Sequence, residues 1–458
     1  MTTFSNTPYE SLIVGMEAAS TRACTAEDLY IFANSSGNHN PMHLPREDGD
    51  NDGKPEAVAP GMWVGALISS VLGNDLPGPG TLYLSQDLRF LDRAHAGETL
   101  VARVRVSEKL PGNRVRFDTW VEREDGLRIC EGAAEVIAPD KPMSFDDMDV
   151  PALTVQRHQH FDRLLEQAAP LPAMATVVVA PEKPDALSGA LLARDHTLID
   201  PILVGCAEKI AAAAEELGAD VSGLEIIDIP DHRAAALRAV SLIHEGRAQA
   251  LMKGHLHTDQ LLHAILKKEG GLRTNRRLSH VFVMDVPGHD HLLFVTDAAI
   301  NISPDLDCKV SICQNAIDLA LSLGIEQPKV GVLSAVETVT PSIPSTLDAA
   351  VLSKMADRGQ ITGGLVDGPL AMDNALDLQA ARTKGITGLV AGHADILLAP
   401  NLEAGNMIAK ELTYLAHAEA AGVVMGAQVP VILTSRSDDD KARLASCAVA
   451  ALYAANRP

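Results

Sequence analysis

The stretch Val429-Pro430-Val431-Ile432-Leu433-Thr434-Ser435-Arg436 begins as a short apolar run and ends in two hydroxyls and a guanidinium, with a helix-like segment from Ser437. Buried parallel strands read as unbroken Val/Ile/Leu runs, and in open α/β sheets ligands gather where their carboxyl ends meet helix N-termini. Hydroxyl, guanidinium and free helix N–H groups at one strand end suit a phosphate-bearing ligand. The plainer reading of Ser435-Arg436 is a helix cap beside a surface charge. Four further apolar runs end alike: Ala250-Leu251-Met252 in Lys253-Gly254-His255, Leu293-Phe294-Val295 in Thr296-Asp297, Gly364-Leu365-Val366 in Asp367-Gly368-Pro369, and Ile396-Leu397-Leu398-Ala399 in Pro400-Asn401.

Working outward, short apolar strands recur near 175, 202, 225, 250, 282, 293, 330, 365, 396 and 431, separated by Ala- and Leu-rich helical segments. That rhythm predicts an α/β domain with a largely parallel sheet, over 158–458, and its length suggests two subdomains with a cleft between them. Residues 1–138 are written differently. One apolar helix candidate, Gly61 to Leu72, precedes alternating segments at 82–90, 99–106, 114–121 and 127–136, the pattern of an antiparallel sheet with one wet face. A helix laid on that sheet gives an α+β domain. Between the two domains, 139–157 is rich in Pro and Asp and reads as a linker leading into an amphipathic helix at 157–168.

A chain of 458 residues with 47% hydrophobic content can bury more than one core. Its net charge of −22 and 3% aromatic content argue against binding to nucleic acid or anionic membranes. No stretch approaches the ~20 apolar residues that span a bilayer, and the N-terminus lacks a signal pattern, so a cytoplasmic protein is expected. Six cysteines without zinc spacing point to free thiols. The pairs His255/His257 and His289/His291 sit in loop-like contexts, and no metal site is assigned.

Gly37-Asn38-His39-Asn40-Pro41-Met42-His43, with Ala59-Pro60-Gly61-Met62 and His95-Ala96-Gly97-Glu98, resembles the MaoC-like hydratases, which have the hotdog fold. The resemblance implies hydration of 2-enoyl-CoA by the His after Asn-Pro and an Asp two residues before it. Here His43 is present, but Asn38 stands where the acid belongs. An amide cannot exchange a proton near neutral pH. Three readings stay open: an altered hydratase, a silent acyl-CoA-binding module, and a turn in which Asn38 and Asn40 cap a helix.

Residues 158 to 456 resemble the phosphate acetyl/butyryltransferase family through Met252-Lys253-Gly254-His255, Gly271-Leu272-Arg273-Thr274, Leu278-Ser279-His280-Val281 and Thr296-Asp297-Ala298-Ala299-Ile300-Asn301. Asp367-Gly368-Pro369-Leu370-Ala371-Met372-Asp373-Asn374, Asn401-Leu402-Glu403-Ala404-Gly405-Asn406 and Thr434-Ser435-Arg436 continue the resemblance. It implies reversible acyl transfer between coenzyme A and inorganic phosphate, giving acyl phosphate, with coenzyme A as substrate and no tightly bound cofactor.

That reaction needs an anion held beside a thioester carbonyl, with donors aimed at the developing oxyanion. Arg436 would clamp phosphate, Ser435 orient an oxygen, and Lys253 and Arg273 supply further positive charge. Asn401 and Asn406 suit a carbonyl or a pantetheine amide, and Asp297, Asp373 and Asn374 complete the binding candidates. Each has a duller reading: Lys253 a surface charge, Arg273 a local ion pair, Asp297 or Asp373 a helix cap. Both families commonly self-associate, so a homodimer or larger oligomer is expected. The rival function is an acyl-CoA sensor that binds without turnover.

Overall fold

The computed structural model describes residues 3–44, 57–146, 153, 155, 158–433 and 440–457. The chain divides into two compact units, Met1–Val155 and Gln156–Pro458. No described helix is long and apolar enough to cross a membrane. The six cysteines are unpaired, five of them buried.

The N-terminal unit runs β1 (Thr3–Ser5), β2 (Glu17–Ala23), α1 (Ala26–Ser36), α2 (Gly61–Asn74), β3 (Leu82–Gln86) and β4 (Arg89–Phe90). Strands β5 (Thr99–Leu110), β6 (Arg114–Arg123), β7 (Arg128–Ile137) and β8 (Ser144–Asp146) follow. The sheet is antiparallel in the order β2-β5-β6-β7-β3, with β4 also on β7. Period-two burial builds its inner face: β5 buries Leu100, Ala102, Val104 and Val106, and β6 buries Val115, Phe117, Thr119 and Val121. Against that face α2 lays Trp63, Val64, Leu67, Ile68, Val71 and Leu72, a stripe at helical spacing. This is the helix-in-sheet arrangement of a hotdog fold.

Three details differ from what the sequence predicts. The segment expected as one strand over 82–90 breaks at Asp87, where the facing strand carries Gly132; a Cβ there would stand 1.9 Å from the Asp87 carbonyl oxygen. Strand β2, Glu-Ala-Ala-Ser-Thr-Arg-Ala, is too polar to announce itself. Within the stretch read as a linker, β8 pairs antiparallel with β1.

The C-terminal unit begins α3 (Gln159–Ala168), β9 (Met174–Val179), α4 (Pro184–Asp195), β10 (Ile199–Gly205), α5 (Ala207–Leu217), β11 (Glu225–Asp228) and α6 (His232–His244). It continues β12 (Ala250–Lys253), α7 (Thr258–Ile265), β13 (Ser279–Asp285), β14 (Leu293–Thr296), α8 (Leu306–Ser322), β15 (Lys329–Leu333) and α9 (Pro344–Asp357). Last come β16 (Leu365–Leu370), α10 (Met372–Leu376), α11 (Leu378–Thr383), β17 (Ile396–Leu398), α12 (Leu402–Tyr414), β18 (Glu419–Met425), β19 (Val431–Ile432) and α13 (Asp440–Ala455).

All eleven strands form one sheet, β11-β10-β9-β12-β19-β18-β13-β14-β17-β15-β16. Its two wings, β11 to β19 and β14 to β16, are each parallel, and the antiparallel strands β18 and β13 join them. The wings therefore run in opposite directions. The Ala- and Gly-rich β18 was not foreseen. Asp367-Gly368-Pro369 lies inside β16 rather than beyond it, which an edge strand tolerates because it has ladder positions free of obligatory N–H donors.

One face of the sheet carries a continuous core that includes Val178, Met252, Val281, Phe294 and Leu398, covered by α3, α4, α8, α9 and α13. The opposite face divides. One cluster gathers Val177, Leu251, Leu278, Val424 and Val431 under α6 and α7; the other gathers Met284, Val295, Leu333 and Leu397 under α10 to α12. The two subdomains share a sheet and part company on this face alone.

Candidate active site

Opposed wings should send their carboxyl ends to opposite edges, yet the register brings them together. Met252, Ile432, Val423, Val281, Thr296, Leu398 and Val332 are successive cross-strand partners and form one row over seven strands. Strands β12, β19, β14, β17 and β15 all end at this row or one residue beyond it. Among the described residues, polar groups at or beyond the ends of β12, β14 and β17, Lys253, Asp297 and Asn401 among them, flank a common line from both sides.

Side-chain alternation then selects the face. Lys253 shares a face with Leu251, Asp297 with Val295, and Leu433 with Val431, and all three apolar neighbours belong to the divided side. Along β18 that side reads Val424, Gly422, Ala420, and along β13 it reads Leu278, His280, Phe282. Val424 and Leu278 belong to one cluster, Ala420 and Phe282 to the other. His280 and Gly422 lie on the seam.

Around the seam the chain is held tightly. Asp297 accepts hydrogen bonds from the backbone N–H groups of Ala299 (2.9 Å), Ile300 (3.1 Å), Asn301 (3.0 Å) and His280 (3.3 Å). Asn301 donates its side-chain N–H to Asp297 at 2.5 Å and to the Leu278 carbonyl at 2.8 Å. Asn406 donates to the Ala298 carbonyl at 3.1 Å, and the Leu402 N–H to the Ile302 carbonyl, tying α12 to this turn. Close approach depends on Gly405, where a Cβ would stand 2.5 Å from the Asp297 carbonyl oxygen.

His280 is 2% exposed, and its Nδ1 is buried with no hydrogen-bond partner among the described residues. The ring packs edge-on against Phe282 with centroids 4.3 Å apart. Burial pushes its pKa down to about 4, partly opposed by Asp297, so the imidazole is neutral at ordinary pH.

The structure brings together Asp297, Asn401 and Asn406, and turns Lys253 to the same face. Asp297 caps no helix: it holds a non-helical turn, and the next helix, α8, has Asp305 as its N-cap. Asn401 caps α12, accepting from the Ala404 N–H at 2.9 Å, so its carbonyl oxygen is already engaged. Lys253 donates to the Gly254 carbonyl at 3.3 Å. Arg273 is exposed and bridges to Ala427, beside the cluster under α6 and α7. Asp373 and Asn374 belong to a separate group at the carboxyl end of β15 and β16. There Lys384 sits 3.1 Å from Glu337 and 3.9 Å from Asp373, and the buried Asn374 donates to Glu337 at 3.5 Å. A bond from its own backbone N–H and then Lys384 hold the Glu337 carboxyl below its usual range. Ser435 and Arg436 lie outside the described residues.

His280, within Leu278-Ser279-His280-Val281, is not among the site residues that the sequence suggests. Its signal was there: one imidazole in the otherwise apolar register of Leu278 and Phe282. Among the described residues no group of three or more His, Cys, Asp and Glu side chains has metal-binding geometry.

In the N-terminal unit, a capping box between Thr25 and Asp28 starts α1, and Gly37, at φ 71°, ends it. Pro41–His43 form a short 3₁₀ turn capped by Asn40, whose side chain accepts from Met42. His43 Nδ1 lies 2.8 Å from the Val58 carbonyl. A carbonyl only accepts, so Nδ1 is the donor in this contact. Asn38 is exposed, and its side-chain oxygen accepts from the Asn40 N–H at 3.3 Å.

Comparison with known proteins agrees with both halves. Residues 231–451 match the family described as phosphate acetyl/butaryl transferase, and residues 14–128 match the MaoC like domain. A phosphate acetyltransferase of Rhizobium meliloti is 58% identical over 297 residues, 65% of this chain and 94% of that protein. A phosphate butyryltransferase of Clostridium acetobutylicum is 47% identical over 281 residues, 61% of this chain and 93% of its own length. The crystal structure of a branched-chain phosphotransacylase from Enterococcus faecalis superposes with a TM-score of 0.54 at 30% identity, covering 62% of this chain and 99% of that one. The chain therefore belongs to the phosphate acetyl/butyryltransferase family and carries a MaoC-like domain at its N-terminal end.

Proposed function

We propose that the region 158–458 moves an acyl group between coenzyme A and inorganic phosphate, and that the seam around His280 and Asp297 is where the two substrates meet. The observation that carries this reading is the row of converging strand ends, with Lys253 and the entry to Thr434-Ser435-Arg436 on one side and the Asp297 turn on the other. In this reading Arg436 clamps phosphate, Ser435 orients an oxygen, and Lys253 and Arg273 draw the anionic substrates in. Asn406 holds the turn from α12, and Asn401 starts that helix. Asp373 and Asn374, in their own cluster with Glu337, would meet a more distant part of the acyl-CoA. Phosphate attacks an already activated thioester, so no acyl-enzyme is needed and ternary-complex kinetics follow.

Arsenate-dependent release of coenzyme A from acetyl- or butyryl-CoA tests the proposal, because acyl arsenate hydrolyses and pulls the reaction forward. No arsenate-dependent release would leave an acyl-CoA sensor as the function. Arg436→Ala should raise the phosphate KM at least about tenfold, the loss expected for one charge-assisted contact; an unchanged KM removes Arg436 from the site.

The MaoC-like region, 1–138, with 139–157 as its connection, is proposed to bind an acyl-CoA at His43. Asn38 supports binding without efficient hydration, since it offers no exchangeable proton. Self-association is proposed through the edge strand β3, which exposes Leu82, Tyr83 and Leu84 along a sheet edge that no strand among the described residues pairs.

A further inference from the structure

His280 has no explanation in packing. An apolar side chain would fill the same place without leaving a buried nitrogen unpaired, and buried polar atoms without partners demand a reason beyond folding. Position supplies that reason. The imidazole lies on the seam, beside a turn that five hydrogen bonds to Asp297 hold rigid. Across from it, Gly422 lets two strands approach closely: a Cβ there would stand 3.0 Å from His280 Nε2 and 2.8 Å from the Leu433 carbonyl oxygen. Leu433 leads directly into Thr434-Ser435-Arg436.

We propose that His280 is a further catalytic residue of the acyl transfer, donating a ring N–H to the thioester carbonyl oxygen as phosphate attacks the carbonyl carbon. This rests on the acyl-transfer reading above. A phosphate oxygen forms the new C–O bond, the C–S bond breaks, and its electron pair leaves on sulfur. The proton of hydrogen phosphate ends on the coenzyme A thiol, so His280 neither gains nor loses one. The neutral state of the buried ring suits a hydrogen-bond donor rather than an acid. A fixed donor in a water-poor site stabilises the oxyanion that develops between the two bonds.

Full-length wild type, His280→Phe, His280→Leu and His280→Gln are compared for phosphate-dependent coenzyme A release and for thermal melting. The apolar variants should fold and lose about 10²–10³-fold in kcat, as expected for one missing oxyanion donor. KM for both substrates should stay within about threefold. His280→Gln, which keeps a side-chain N–H, should recover part of that loss. Wild-type kcat in a folded apolar variant overturns the proposal, as does a loss confined to KM. Failure of both apolar variants to fold also overturns it, since the ring would then serve packing. A wild-type protein without phosphate-dependent release sinks the acyl-transfer reading itself, a result visible before any variant is made.

Discussion

Acid should weaken the C-terminal unit through His280 by an amount that one substitution removes. In the unfolded chain this imidazole takes a proton near 6.5; in the fold, burial delays that to about 4. Between those values the unfolded state binds more protons, so stability falls as pH drops and is fully present above about pH 7. At 1.36 kcal/mol per pH unit, the whole interval is worth about 3 kcal/mol, most of it lost by pH 4.5. His280→Phe has nothing to protonate there. Urea unfolding of both proteins at pH 7.5 and pH 4.5, followed by far-UV circular dichroism, should show wild type losing about 2 to 3 kcal/mol more than the variant. Both tryptophans, Trp63 and Trp120, belong to the N-terminal unit. Their fluorescence supplies an internal control: its transition should shift with pH equally in the two proteins. Equal acid losses in the dichroism signal would refute the assignment of a buried, neutral His280.

Other outcomes follow from the same contacts. Gly422→Ala should destabilise the unit by about 1 to 3 kcal/mol through overpacking, read by thermal melting, and lower kcat by displacing His280 or Leu433. Asp297→Ala strips the turn of its acceptor and should cost about 3 kcal/mol or more, since several N–H donors lose a charged partner; urea unfolding measures it. Asn38→Asp should give the MaoC-like region measurable hydration of crotonyl-CoA, followed by loss of enoyl absorbance, because the carboxylate restores the acid–base group that the amide cannot supply.

Much of the fold was legible because each half obeys one periodicity. The alternation of Val101-Ala102-Arg103-Val104 makes an antiparallel strand with one wet face, and the run Thr176-Val177-Val178-Val179 makes a strand buried on both. Local signals failed where composition was neutral. Strand β18 has too much Ala and Gly to declare itself, and its burial comes from neighbours on both sides. Site residues divided in the same way. Lys253 and Asp297 were visible as polar ends of apolar runs, whereas His280, inside a strand, carried no terminal signal.

By itself, the sequence determined two domains of different architecture, the strand endings that favour an anion, and the absence of an acid at Asn38. Those are properties of residues and their spacing, and they need no partner to be read. The tertiary structure decided which of those endings meet. Opposed wings, joined by β18 and β13 in one particular register, bring distant carboxyl ends to a single row, and a divided core on one face leaves His280 at the seam. Register and strand order are set by packing between segments over 100 residues apart in the chain, such as Met252 against Ile432. No local pattern encodes that pairing.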